Sequence, residues 1–237
     1  MDAVSFEQLR EILEEGVVVR GRLISEVVFR ELEISKLQLE ECFLEGCNLN
    51  GLNGELLHLS HCEMVKTSMR DMDFDEVRFD HCQMRNCRFH GSNLHNAVFE
   101  TCDLSGSFFF ETILAKAQFL NCKLLGADFA KAGIMGVDFR HCNLQMANLK
   151  LHNFRKQHFI GIDFYEAELV GCDFTNAVFE DCRLGGANVS NAVFVNADLT
   201  TADLAGFNAS SCKSMKNACV SQYQAAQLLA NLGIVII

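Results

Sequence analysis

Large apolar residues recur at every fifth position over most of this chain. Starting at Phe29 and stepping by five to Leu204, 36 positions are sampled and 35 of them are large and apolar, with Gly54 the one break. Fifteen of the 20 Phe fall on this register. Calling this central residue i, position i−2 is usually small, as at Cys42, Cys47, Cys62, Ala97, Ala127, Ala147 and Ala177. Position i−1 is polar, as at Asp73, Asn93, Asp128 and Asn148. Position i+2 is Gly ten times and Asn six times. Residues i−2 and i share a side of an extended segment, and the residue between them points the other way. Gly or Asn at i+2 suits the left-handed third position of a type II turn. Each pentapeptide therefore reads as a short strand plus a corner. A helix has no five-residue period, so a helical repeat is excluded.

A twenty-residue period lies above the five-residue one. Cys42, Cys62, Cys82, Cys102, Cys122 and Cys142 form one row, and Phe79, Phe99, Phe119, Phe139, Phe159 and Phe179 another. Four pentapeptides per turn would stack each row on a single face. The expected fold is an all-β, right-handed quadrilateral parallel β-helix of about nine coils with short capping helices at both ends. Three segments are expected: an N-terminal capping helix over 1–20, the repeat over 21–212, and a C-terminal cap and tail over 213–237. Ser5-Phe6-Glu7-Gln8 reads as a capping box opening a helix that Gly16 closes. Ser221 to Leu232 reads as a second helix, with Gly233 after it and an apolar tail from Ile234 to Ile237. Such caps would cover coil edges that otherwise template aggregation.

Composition changes the picture in two ways. The chain has no Pro among 237 residues, which suits a backbone whose N–H groups nearly all donate to a ladder. The net charge of −11 argues against direct binding to nucleic acid, which requires a basic patch. That charge is banded. Residues 1–113 carry 21 acids and 10 bases, residues 114–160 carry two acids and seven bases, and residues 161–212 carry eight acids and one base. Neither a signal peptide nor an apolar run long enough for a membrane span is visible, so a soluble cytoplasmic protein without membrane contact is expected.

The pattern resembles the pentapeptide-repeat family, whose motif is A-(D/N)-L-x-x. Ala127-Asp128-Phe129, Ala147-Asn148-Leu149, Ala187-Asn188-Val189, Ala197-Asp198-Leu199 and Ala202-Asp203-Leu204 carry the resemblance. It implies the quadrilateral β-helix with a stacked Phe/Leu core. The run from Gln227 to Ile236 resembles the C-terminal dimerisation segment of the Qnr-like quinolone-resistance branch. That resemblance implies a homodimer through Leu228, Leu229, Leu232, Ile234 and Ile236; an intramolecular cap is the other use of the same segment.

No nucleophile elbow, phosphate loop or zinc-protease motif is present, and a filled coil leaves no substrate cavity, so a non-enzymatic protein without a cofactor is expected. The cysteines read as reduced packing residues that share their register with Ala and Ser. His61-Cys62, His81-Cys82 and His141-Cys142 invite a zinc site, but the Cys would face inward and the His outward, so no metal site is expected.

Function then rests on the surface. Resemblance to the Qnr-like branch implies a DNA-mimic rod that occupies the DNA-binding saddle of a type II topoisomerase, either DNA gyrase or topoisomerase IV. The candidate acidic surface is Asp71, Asp73, Asp75, Asp80, Asp103, Asp163, Asp173, Asp198 and Asp203. The loops that interrupt Qnr coils are absent from this unbroken register, and the basic band spoils uniform mimicry. The broader expectation is a protein-binding scaffold, with an accessory or effector of a bacterial secretion system as the alternative. The candidate basic band is Lys131, Arg140, Lys150, Arg155 and Lys156.

Overall fold

The computed structural model describes residues 1–231, 233 and 234. The chain is a right-handed, four-sided β-solenoid of about nine turns with two short helices. Every rung pairs parallel. Gln118 lies over Val98, Phe119 over Phe99, and His158 under Val178, each twenty residues apart. Four faces can be named by their central residues. The first carries Phe79, Phe99, Phe119 and Phe139, and the second Met84, Leu104, Leu124 and Leu144. The third carries Phe89, Phe109, Phe129 and Leu149, and the fourth Phe74, Leu94, Leu114, Ile134 and Phe154. All of these are buried.

One pentapeptide accounts for all five of its N–H groups, and this explains the motif. Around Leu104, Asp103 N–H donates to Cys82 in the coil below, and Leu104 and Gly106 N–H donate to Lys123 and Leu125 in the coil above. Ser107 N–H closes the corner onto the Leu104 carbonyl. The ladder leaves out only Ser105 N–H, and the Asp103 Oδ1 accepts it at 3.1 Å. Thus Asp or Asn at i−1 satisfies the one donor that the coils cannot, as an unmade buried bond would be costly. A Pro anywhere in the unit would delete one of these bonds.

The small residue at i−2 is explained just as directly. The Cys122 thiol donates to the Phe99 carbonyl at 3.3 Å, Ser107 to Met84 at 2.9 Å, and Thr112 to Phe89 at 2.8 Å. Each hydroxyl or thiol reaches the central carbonyl of the coil beneath. Burial pushes the Cys87 and Cys172 thiols up to about 12, which leaves them protonated packing groups. His61 and His81 stack at 4.8 Å at an outer corner, on the opposite side of the backbone from the buried Cys62 and Cys82.

The interior is two Phe columns at right angles. Phe79, Phe99, Phe119 and Phe139 stack at 4.9, 4.6 and 5.3 Å, and Phe89, Phe109 and Phe129 at 4.9 and 4.7 Å. Rings of the two columns meet edge to face, 6.0 Å apart for Phe119 and Phe129. Gly54, the exception to the register, is also explained. A Cβ there would strike the Ser35 carbonyl, which accepts N–H bonds from Glu55 and Leu56 at 2.8 and 3.2 Å.

Both ends depart from the expected boundaries. Asp2 and Ala3 pair with Arg22 and Leu23, so the ladder begins before helix α1 (Phe6–Glu14). The Ser5–Gln8 capping box is formed, and Leu9 and Leu13 seal the first coil. At the other end Val193 pairs with Ser214 and Asp198 with Cys219. One extra residue enters near the short helix Ala209–Ser211, and the coil runs on to Cys219. Helix α2 (Gln222–Asn231) follows, with a second capping box between Ser221 and Gln224. Gln224 Nε2 also donates to the carbonyls of Leu199 and Ala202 at 2.7 and 2.6 Å, capping the last coil. No helix among the described residues is long and apolar enough to cross a membrane.

Candidate interaction surfaces

The acidic residues singled out in the sequence do not form one surface. Asp103, Asp163 and Asp203 share the second face, Asp73 and Asp173 the fourth, and Asp198 the first. Most are engaged by their own coil. Asp173 Oδ1 accepts from Thr175 N–H at 2.9 Å, Asp198 Oδ1 from Thr200 N–H at 3.0 Å, and Asp203 Oδ1 from Ala205 N–H at 2.9 Å. Asp163 accepts from Tyr165 N–H and from Gln145, and its second neighbour Arg183 lies 3.5 Å away. Asp73 accepts from Asn93, and Asp80 bonds the His81 ring. Asp71 sits at a left-handed corner under Gly91, while Asp75 is exposed.

Asp103 shows what this engagement does to charge. Burial pushes its carboxyl up, but hydrogen bonds from Ser105 and Arg85 outweigh that and hold it below the usual carboxylate range. Hydrogen bonds from Thr200 lower Asp198 in the same way. These carboxylates are ionised at neutral pH, but their oxygens serve turns before they serve a partner.

The basic residues encircle the rod. Arg140 is on the first face beside Asp138, 2.7 Å away, and Lys150 is on the third face, 3.3 Å from Glu168. Arg155 is on the fourth face, 3.0 Å from Asp173. Lys131 and Lys156 occupy corners with φ of 58° and 62°. Lys131 lies 3.9 Å from Glu111 and over the Phe110 ring. Among the described residues no acid lies within salt-bridge distance of Lys116, Lys123 or Lys156. Exposed pairs of this kind contribute about 0–1 kcal/mol each, so the cations remain available.

Of the C-terminal candidates, Leu228 packs against the core, whereas Leu229 and Ile234 are exposed. Leu232 and Ile236 lie outside the described residues.

Sequence reasoning passed over the most irregular place in the rod. On the second and third faces the rungs run unbroken from Glu63 to Asp203 and from Val28 to Asn188. On the fourth face the rungs Asn93–Ile113–Gly133 and Asn153–Asp173 are present but nothing joins Gly133 to Asn153. On the first face nothing joins Asp138 to His158. The cause is two residues in the small i−2 register. His152 Nε2 reaches the Phe129 carbonyl at 2.8 Å, and Gln157 Nε2 takes the Val137 carbonyl at 2.6 Å. Val137 would otherwise accept from the backbone of His158. Gln157 takes a carbonyl that the ladder would use, His152 fills the small register, and a rung is lost on each of two adjacent sides, while His141 N–H still reaches the Ile160 carbonyl at 2.9 Å at the far end of the first face. Burial holds the His152 imidazole below its ordinary range, only partly offset by the Phe129 carbonyl. Its neighbours in that register, Ala132 and Cys172, were the available sequence signal.

A rod of stacked pentapeptides, with a filled interior and all varied chemistry on its faces, defines the class: the chain belongs to the pentapeptide-repeat proteins. Two models of that family match it, pentapeptide repeats (nine copies) over residues 74–118 and a pentapeptide repeat region over residues 132–209. Among solved structures it is similar to full-length QnrB1, a plasmid-mediated fluoroquinolone resistance protein, at 20% identity and a TM-score of 0.64, covering 92% of this chain and 97% of that one. A trypsin-treated form of QnrB1 matches at 20% identity and 0.58, covering 93% and 97%. HetL, a pentapeptide-repeat protein involved in heterocyst differentiation regulation from the cyanobacterium Nostoc sp. strain PCC 7120, matches at 16% identity and 0.39, covering 91% and 94%. No curated protein matches the chain.

Proposed function

We propose that this protein is a non-enzymatic, protein-binding rod, and that a type II topoisomerase is the first partner to test. The observation that carries this reading is the use made of each side chain. Inward residues fill the coil completely: Phe109, Leu114, Phe119, Leu124 and Phe129 are all fully buried. What differs from coil to coil is displayed on the outer faces, which are long, rigid and banded in charge. Such a surface recognises a macromolecule by shape and electrostatic pattern.

A topoisomerase fits through the acidic coils of residues 1–113 and 161–212 and through the likeness in fold to a fluoroquinolone resistance protein. Surface carboxylates there that are not bound into turns, such as Asp75 and Glu76, would stand in for phosphates. DNA supercoiling by purified gyrase, titrated with this protein, checks it. Inhibition at low micromolar concentration, relieved by added duplex DNA, is expected. Unaltered supercoiling by gyrase together with unaltered decatenation by topoisomerase IV would remove that partner and leave the rod without it.

A further inference from the structure

We propose that the fourth face beside the split between coils is a docking surface for an acidic protein segment that carries apolar side chains. This deepens the reading of the chain as a protein-binding rod by naming the place and the chemistry of one partner.

Four observations converge there. The first is exposed apolar area, which includes the two most exposed large apolar side chains among the described residues. Ile113 is 51% exposed, Met135 75% and Leu151 80%, on three successive coils across the fourth face, with Leu151 at one of its corners and Met135 at the other. Met135 is flanked in sequence by Gly133, which pairs with Ile113 in the coil below, and by Gly136, so two of its near neighbours carry no side chain. Contiguous exposed apolar surface on a small protein marks an interaction site.

The second is charge. Lys131, Arg155 and Lys156 rim this face within the one basic stretch of an acidic chain. Lys156 has no acid within salt-bridge distance among the described residues. An acidic partner would supply what the chain does not.

The third is the backbone. With the rung from Gly133 to Asn153 missing, the N–H groups of Gly136 and Asn153, both exposed residues, donate to no group among the described residues. A chain segment lying extended along this opening would accept those bonds, as added strands do at open edges.

The fourth is conformational cost. Lys131, Leu151 and Lys156 sit at corners with φ of 58°, 65° and 62°, a position that the repeat fills ten times with Gly and six times with Asn. Leu151, like Met146 on the next corner, combines a left-handed backbone with an apolar side chain in water, and is the more exposed of the two. Residues that violate local rules without a structural return point to function.

Nucleic acid fits less well. Ile113, Met135 and Leu151 give phosphates nothing, and Glu111 and Asp128 lie on the same coils. A second copy of this chain has acidic coils, but these present carboxylates already bound into turns.

The test is fluorescence anisotropy with a labelled peptide alternating Glu and Leu. Control probes replace every Leu by Ser or every Glu by Lys, and a single-stranded oligonucleotide of equal length is the fourth probe. The Glu/Leu peptide should bind and the controls should not. Lys131→Glu with Lys156→Glu should weaken it about tenfold or more, and so should Met135→Ser with Leu151→Gly. The second pair should also raise Tm, because glycine relaxes the corner, so lost binding cannot be blamed on misfolding. No binding at about 100 µM, or binding unchanged by either pair, overturns the proposal. So does equal affinity for the oligonucleotide. So does sedimentation showing that the pairs abolish only self-association while the peptide fails to bind. Failed peptide binding with supercoiling inhibition intact would leave the topoisomerase reading standing while this one falls; peptide binding without any effect on gyrase would do the reverse.

Discussion

At the level of residues 131–158 the rod has two unlike halves. On the second and third faces Leu144, Ala147, Asn148 and Leu149 keep the ladder, the corner bonds and the small inward register. On the fourth and first faces the same turn carries His152 and Gln157 inward and loses two rungs. The Phe stacking also changes here. Below the split the columns stand on the first and third faces and end at Phe139 and Phe129. Above it they stand on the fourth and first, with Phe154, Phe174 and Phe194 stacked at 5.3 and 4.9 Å. The repeat thus tolerates an opening on two sides because the other two hold the coils in register. A solenoid whose coils touch only their neighbours can carry such a local fault without losing its shape.

The largest expected effect contrasts rings on either side of that fault. Phe119 is stacked both above and below, whereas Phe154 has a stacked ring only above. Phe119→Ala should cost about 3–5 kcal/mol in denaturant unfolding, and Phe154→Ala less. Equal losses would mean that the split does not weaken local packing. Next in size, replacing both wedges, His152→Ala with Gln157→Ala, should restore the two rungs and stabilise the fold by about 1–2 kcal/mol. Amide exchange at Asn153 and His158 should slow, while exchange at Asn148 on the closed side stays unchanged. If the amides of Asn153 and His158 are already as protected as Asn148 in the parent protein, the faces do not differ. Smaller again is Asp103→Ala, which removes the acceptor for Ser105 N–H and the partner of Arg85; about 1 kcal/mol is expected, measured by Tm.

The smallest effect is in pH. His152 is held below its unfolded value, so the unfolded chain binds a proton more readily than the folded one. Its neutral form is accommodated at no cost above about pH 6.5, and stability declines as the pH falls below that value toward the folded pKa. His152→Ala should flatten the stability profile between about pH 7 and 5. The lowered carboxyls of Asp103, Asp173 and Asp198 lose their contribution only at more acidic pH, below about 4, so the two windows separate.

Much of the fold was legible because a five-residue period admits few solutions. The rows through Cys42 to Cys142 and Phe79 to Phe139 lie where the spacing put them, and the Ser5–Gln8 box caps its helix. Less of the site was legible. Asp103, Asp173, Asp198 and Asp203 looked like free surface charge, since nothing in a linear pattern shows that the i+1 N–H lacks a ladder partner. The one-residue insertion near Ala209 was hidden because Ser214 and Cys219 do not repeat the motif closely. His152 and Gln157 were in plain view as violations of the small register. Their consequence depends on the coil beneath.

The sequence by itself determined the period, the inward and outward residues, the corners and the charge bands, because each follows from local parity and turn chemistry. Only the tertiary structure decided which carboxylates are committed to turns, why Gly54 has no side chain, and that Met135 and Leu151 flank an opening in the ladder. Those outcomes depend on contacts twenty or more residues apart, between carbonyls and side chains on successive coils, which no local pattern encodes.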